Sequence, residues 1–276
     1  MFRKHGEETT MFPKPVHLGP EYSAQFGDRS VVAAYRYRPP YPEETFDILE
    51  ELIVDRPRVV LDAGCGTGNV ARPLARRVER VDAVDLSRPM IEVGRSLPDG
   101  HAPNLRWIVG RAEDAELYGP YALITAGSSL HWMDWAVVMP RFAELLSEHG
   151  VLAIFGDGVM PVPWNTQPIC ARYSTNRDYA PYDLLQELTM RGLFQQLGSR
   201  TTRPVPFRQS VDRYIESFHA RNGLSRDRMT PSAAAAFDAE LRAAVEPHAR
   251  DGHVELQLVT TIVWGKPVVG TMNDER

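Results

Sequence analysis

The segment Asp62-Ala63-Gly64-Cys65-Gly66-Thr67-Gly68 constrains this chain more than any other stretch. The apolar run Val59-Val60-Leu61 precedes it, and Asn69 to Val78 follow with helical character. A short continuous apolar run bounded by turn residues suits a strand buried on both faces. Glycines after such a strand permit positive φ and let a ligand approach the backbone closely. A second strand, Val81-Asp82-Ala83-Val84-Asp85, ends in an acid seventeen residues beyond Gly68. A carboxylate at that offset accepts hydrogen bonds from both hydroxyls of a ribose. Together these features describe a nucleoside lying across the carboxyl edge of a parallel sheet.

The glycine register selects among nucleotide ligands. A dinucleotide site needs G-x-G-x-x-G, with a helix N-terminus facing a pyrophosphate. Here the spacing is G-x-G-x-G, and Asn69 stands where the third dinucleotide glycine belongs. Asp62, ahead of the loop, opposes a pyrophosphate and suits a cationic amine. A nicotinamide oxidoreductase is thereby weakened. No Lys-Ser/Thr pair follows the glycines, which excludes a P-loop.

Strand and helix signals alternate on both sides of the loop. Pro42-Glu43-Glu44 opens a helix over 42–54, with the acids at the positive end of its dipole. Ser87 caps a helix that carries Pro89 in its first turn. Residues 105–109, 121–126 and 151–155 read as strands, and 134–147 as a helix ended by Gly150. The alternation implies βαβ units. It breaks in the proline-punctuated region 160–250. Leu184, Leu185, Leu188, Leu193 and Leu197 there imply one or two helices, and 211–222 and 233–245 two more. Val254 to Trp264, rich in β-branched residues, returns as a single strand. The chain should divide into an N-terminal arm or lid (1–34), a cofactor-binding core (35–159), a substrate-binding cap insertion that shapes the acceptor pocket (160–250), and a final strand with its tail (251–276).

Composition narrows the setting. The 276 residues carry a formal charge of −5, which weighs against a nucleic-acid partner. Two cysteines, Cys65 and Cys170, form neither a disulfide framework nor a zinc cluster, so a reducing compartment is the expectation. The N-terminus lacks the apolar core of a secretory signal, and no apolar run has the ~18 residues of a transmembrane helix. The expectation is a soluble, cytoplasmic protein with no membrane partner.

LDAGCGTGN, VDAVDLS and GRAED resemble the first, second and adenine-side motifs of the class I S-adenosylmethionine-dependent methyltransferases. The likeness covers residues 35–156 well, and YRYRPPYP and SSLHWMDW resemble a small-molecule subgroup. It implies a doubly wound, mostly parallel, seven-stranded α/β sheet with a helical cap and an antiparallel last strand at the edge. It implies S-adenosylmethionine as cofactor and S-adenosylhomocysteine as product. Gly64 and Gly66 would cradle the methionine part, in a loop shared with Cys65 and Asn69. Asp62 would lie near its amino group, and Arg38 would pair with its carboxylate or stay on the surface. Asp85 would hold the ribose, Leu86 and Met90 would pack on adenine, and Ala112 and Glu113 would face its edge. Gly127 and Ser128 would lie near the transferring methyl. Tyr35 and Tyr37 would close over the cofactor or pack the lid. The chain departs from many relatives at Arg111, where an Asp is common, and at Tyr121-Ala122, where an acid begins the fourth strand.

Methyl transfer is an in-line displacement, and a base is needed only where the nucleophile must lose a proton. His131, just after the fourth strand, is the candidate base. The alternative is that it pins its loop, with Trp132 as core. His219 reads as cap-helix surface, or less readily as a substrate contact. His149 is explained by a helix end. The aromatics Trp132, Trp135, Trp164, Tyr173, Tyr179 and Phe207 are numerous enough to line an apolar pocket. Arg38-Pro39-Pro40-Tyr41 resembles the motif of DNA amino-methyltransferases, but it precedes the first motif and leads with Arg. The expected acceptor is therefore a small apolar or aromatic metabolite, methylated on oxygen or nitrogen. Oligomeric state is not readable. The rivals are a non-methylating enzyme on the same fold and a cofactor-binding regulatory protein.

Overall fold

The computed structural model describes residues 14–156 and 158–268, so the first part of the arm and the end of the tail lie outside the described residues. The main sheet has seven strands: β1 Val59–Ala63, β2 Arg80–Asp85, β3 Leu105–Val109, β4 Tyr121–Gly127, β5 Leu146–Phe155, β7 Phe194–Thr201 and β10 Thr261–Pro267, in the order β3-β2-β1-β4-β5-β10-β7. β1 to β5 run parallel, and β10 is antiparallel to both β5 and β7. A smaller antiparallel sheet joins β6 Gly158–Val159 and β8 Val205–Ser210 to the two sides of β9 His253–Val259.

The period-two alternation of a strand shows why β1 reads as one apolar run. Val59, Leu61 and Ala63 face one core, while Val60 faces the other. The first core packs under α6 Trp135–Leu145 and α8 Leu184–Met190. The second packs under α3 Glu43–Glu51, α4 Ala71–Ala75 and α5 Arg88–Ser96. A third core belongs to the cap, where Phe218 of α9 Val211–Phe218 and Phe237 of α10 Pro231–Val245 meet Leu256 of β9 and Trp164. Tyr173 of α7 Gln167–Tyr173 and Phe207 pack against it, so these aromatics serve the cap rather than a pocket. The arm supplies α1 Pro20–Ser23 and α2 Arg29–Ala34. Among the described residues no helix is long and apolar enough to cross a membrane.

Several local expectations are corrected. The helix after the glycine loop is short, and the Asp62 carboxylate accepts the Ala71 N–H at 3.1 Å where it begins. Gly150 does not end a helix. The strand β5 already starts at Leu146, and a Cβ on Gly150 would lie 2.6 Å from the Tyr121 carbonyl. His149 therefore sits within a strand, where its backbone N–H and Nδ1 meet Asp55 at 2.8 and 2.9 Å. The leucine run 184–197 is a helix and then a strand, because Gly192 turns the chain at φ +65°. Region 160–250 thus contributes a strand to the main sheet as well as the cap. Residues 254–264 span two strands. Thr260 marks the switch between sheets, held by the Thr202 N–H on its carbonyl at 2.9 Å and the Thr202 hydroxyl accepting its N–H at 3.0 Å. The last strand is consequently not at the edge; β7 is.

Candidate active site

The chain leaves β1 to build β2 and β3 on one side, then returns to build β4 and β5 on the other. A crevice opens outside the strand ends at such a reversal. Gly64 and Gly66, at φ +70° and +54°, line it in the left-handed region. A Cβ on Gly64 would stand 2.5 Å from the Ser129 Cβ, so glycine lets this loop touch the loop after β4. Ser128 in that loop holds φ +55°, an unfavourable conformation for a residue with a side chain. The third glycine has a different task. A Cβ on Gly68 would collide with the Trp107 ring at 2.4 Å, away from the crevice.

Asp85 ties the loops together. Its Oδ2 accepts the Gly66 N–H and its Oδ1 the Ser87 N–H, both at 2.7 Å. Burial pushes its carboxyl up, and these two donors act against that shift. A cavity of about 270 Å³ opens beside it, lined by Asp85, Leu86, Met90, Arg111, Ala112, Glu113, Gly127 and Ser128 among others. Leu86 is 51% exposed, an isolated apolar surface next to the acid. Glu113 accepts the Asp134 N–H at 2.8 Å and pairs with Arg111 at 3.2 Å. Burial raises its carboxyl, but those partners outweigh burial and hold it below the usual range.

A second, polar cavity of about 20 Å³ adjoins the first, lined by Tyr35, Arg38, Tyr41, Asp62, Cys65 and Asn69 among others. Asp62 is 1% exposed and accepts the Thr125 hydroxyl at 2.9 Å. Its burial pushes the carboxyl up to about 7. The Arg38 guanidinium lies 5.1 Å from the centre of the Tyr35 ring.

The residues expected at the cofactor thus line one of the two cavities, Tyr35 among them, while Tyr37 lines neither. His131 lines neither. Its ring packs 4.6 Å from that of Trp132, which does line the larger cavity, and 6.4 Å from Tyr182. His219 is neither surface nor substrate contact. It is fully buried between the Leu224 carbonyl at 2.7 Å and Asp238 at 2.8 Å. Pro20, Ser23, Ala24 and Phe26 of the arm also line the larger cavity. Their segment is polar and aperiodic, and nothing in it signals a site.

A family model described as a methyltransferase domain matches residues 60–150. Residues 60–150 are thus a class I methyltransferase domain. An uncharacterised methyltransferase of Mycobacterium tuberculosis is 33% identical over 149 residues, 53% of this chain and 54% of the relative. A malonyl-[acyl-carrier protein] O-methyltransferase of Halalkalibacterium halodurans is 37% identical over 86 residues, 29% of this chain and 31% of the relative. A trans-aconitate 2-methyltransferase of Methylobacterium radiotolerans is 32% identical over 115 residues, 39% and 41% of the two chains. The chain spans about half or less of the length of these curated relatives. A solved structure described as a type II methyltransferase, from Anaeromyxobacter dehalogenans, matches with a TM-score of 0.60 at 24% identity, covering 83% of this chain and 97% of the other.

The cofactor of this methyltransferase family is S-adenosylmethionine, and the cavities fit it. The apolar surfaces of Leu86, Met90 and Ala112 suit an adenine ring. Asp85 stands beside them for a diol. Arg38 and the buried Asp62 line the small cavity, whose volume of about 20 Å³ holds roughly one water, so Arg38 is the group placed to meet a ligand carboxylate at its mouth.

Proposed function

We propose that the protein transfers a methyl group from S-adenosylmethionine to a small-molecule acceptor, on oxygen or nitrogen of an apolar or aromatic metabolite, in the cytoplasm and with no nucleic-acid or membrane partner. The observation that carries the reading is the pairing of the two cavities. An apolar slot beside a carboxylate meets a polar pocket that holds both charge signs. The names of two relatives support an oxygen or small-molecule acceptor, since one acts on malonyl-[acyl-carrier protein] and the other on trans-aconitate.

Bound S-adenosylmethionine supplies a methyl group that is already activated. The residues of this chain must then mainly position and enclose. Asp85 fixes the glycine loop through Gly66 and leaves lone pairs for the ribose. Arg38 meets the carboxylate of the amino-acid end. Phe26 and Trp132, whose rings meet at 5.5 Å, form part of the lining of the larger cavity. His131 packs against Trp132 and is the candidate base should the acceptor need to lose a proton. Near-attack positioning of this kind is worth about 7–11 kcal/mol. The test is incubation with methyl-labelled S-adenosylmethionine and a panel of phenols, amines and carboxylic acids. Labelled product from one class is expected. The fold also carries a [4+2]-cyclase, matched here with a TM-score of 0.50 at 18% identity over 84% of this chain and 85% of that chain. Cofactor binding with no labelled product from any class would overturn the transfer reading and favour such a non-methylating enzyme.

A further inference from the structure

Tyr35, Arg38, Gly64 and Gly127 line both cavities and so mark their junction. On the functional reading above, the nucleoside fills the apolar cavity and the amino-acid end is directed toward the polar one. The sulfur that joins the two halves must then lie at the junction. Tyr41 stands there. Its hydroxyl oxygen is 3.0 Å from the point that a Cβ on Gly127 would occupy, and the residue lines the polar cavity. Its ring packs edge-on against Phe155 at 5.3 Å. Pro39 and Pro40 precede it, each with φ fixed by its ring. The hydroxyl is thus held against the tip of β4 by a rigid approach on one side and an aromatic contact on the other.

A sulfonium carries a full positive charge and polarises the C–H bonds of its methyl group. A thioether does neither. A phenol oxygen beside the sulfur therefore stabilises the charged form selectively. We propose that Tyr41 is the residue by which this site distinguishes the sulfonium reactant from its thioether product. The selectivity holds the reactant in place and weakens the hold on the product once the charge is gone.

Tyr41→Phe removes the oxygen and leaves the ring on Phe155. The experiment is calorimetric titration of the wild type and this variant with S-adenosylmethionine, with S-adenosylhomocysteine, and with sinefungin, which carries an ammonium in place of the sulfonium. Loss of one hydrogen-bonding group facing a charge should weaken the two cationic ligands about tenfold, with S-adenosylhomocysteine within about twofold. Equal weakening of all three, or no change in any, would overturn the proposal. A wild type that binds neither sulfur nucleoside overturns the cofactor reading itself, and this inference with it. A wild type that binds both, beside a variant that tracks it in parallel, overturns only the role of Tyr41.

Discussion

Asp85 does two things with one carboxylate. It receives the N–H groups of Gly66 and Ser87, which shapes the loop, and it keeps lone pairs for a ligand diol. Asp85→Asn should weaken S-adenosylmethionine about 10- to 100-fold, since hydrogen bonds to a charged group are worth about 1.5–3 kcal/mol each. Calorimetry checks this, and unchanged affinity would remove Asp85 from the site. Asp62 has a different consequence. Burial raises its carboxyl to about 7 in the folded protein. The unfolded chain has the ordinary value of about 3.9. Between these values the folded state binds the extra proton. Asp62 therefore makes stability fall as pH rises from about 4 to about 7, with its contribution fullest below that window. Urea midpoints across the window should slope less in Asp62→Asn than in the wild type, and parallel profiles would contradict the assignment. These residues were legible in the sequence because their roles depend on local offsets: glycines after a strand, an acid at the end of the next. The surroundings of His131 include Tyr182, fifty-one positions away, and no local pattern carries that.

At the scale of elements, the arm is held by the cap rather than by its own helices. The Asn222 side chain donates to the Tyr22 carbonyl at 2.7 Å, and the Gly223 N–H donates to Gln25 at 2.8 Å. Arg228 and Ser225 both reach Asp28, at 2.6 and 2.7 Å. Tyr22 bonds Asp178, and the Ser87 hydroxyl donates to the Phe26 carbonyl at 3.0 Å on the core side. The arm thereby forms one wall of the larger cavity. Cofactor binding should slow amide exchange over residues 20–38 by about tenfold or more relative to the free protein. Exchange in the arm that ignores the cofactor would contradict its role as a wall. The turn that carries these contacts is itself pinned by His219, between the Leu224 carbonyl and Asp238, with Arg226 on the other oxygen of that carboxylate at 2.9 Å. His219→Ala should cost about 1–3 kcal/mol in denaturant unfolding, because it leaves the buried Leu224 carbonyl without its partner. A loss below about 0.5 kcal/mol, the size of an ordinary surface substitution, would contradict that placement. Such contacts join residues some two hundred positions apart, which is why the arm looked featureless in sequence.

For the molecule as a whole, the strands of the parallel half announced themselves because burial on both faces forces continuous apolar runs. The second half did not. Leu193 and Leu197 continue a leucine spacing that begins as a helix, and only Gly192 at positive φ reveals the break. Residues 253–267 form one β-rich stretch whose two strands serve different sheets, a division set by pairing with Thr202 rather than by composition. The cap and the sheet are thus interleaved in sequence, while the two adjoining cavities are lined, among the described residues, by the arm, residues 35–41 and the strand ends of the parallel half alone. That the pair is a binding site for S-adenosylmethionine is the central claim. Calorimetric titration of the intact protein with S-adenosylmethionine, S-adenosylhomocysteine and NADH tests it most directly. Binding of both sulfur nucleosides and no binding of NADH is the expected result. Binding of NADH, or of neither sulfur nucleoside, would contradict the claim.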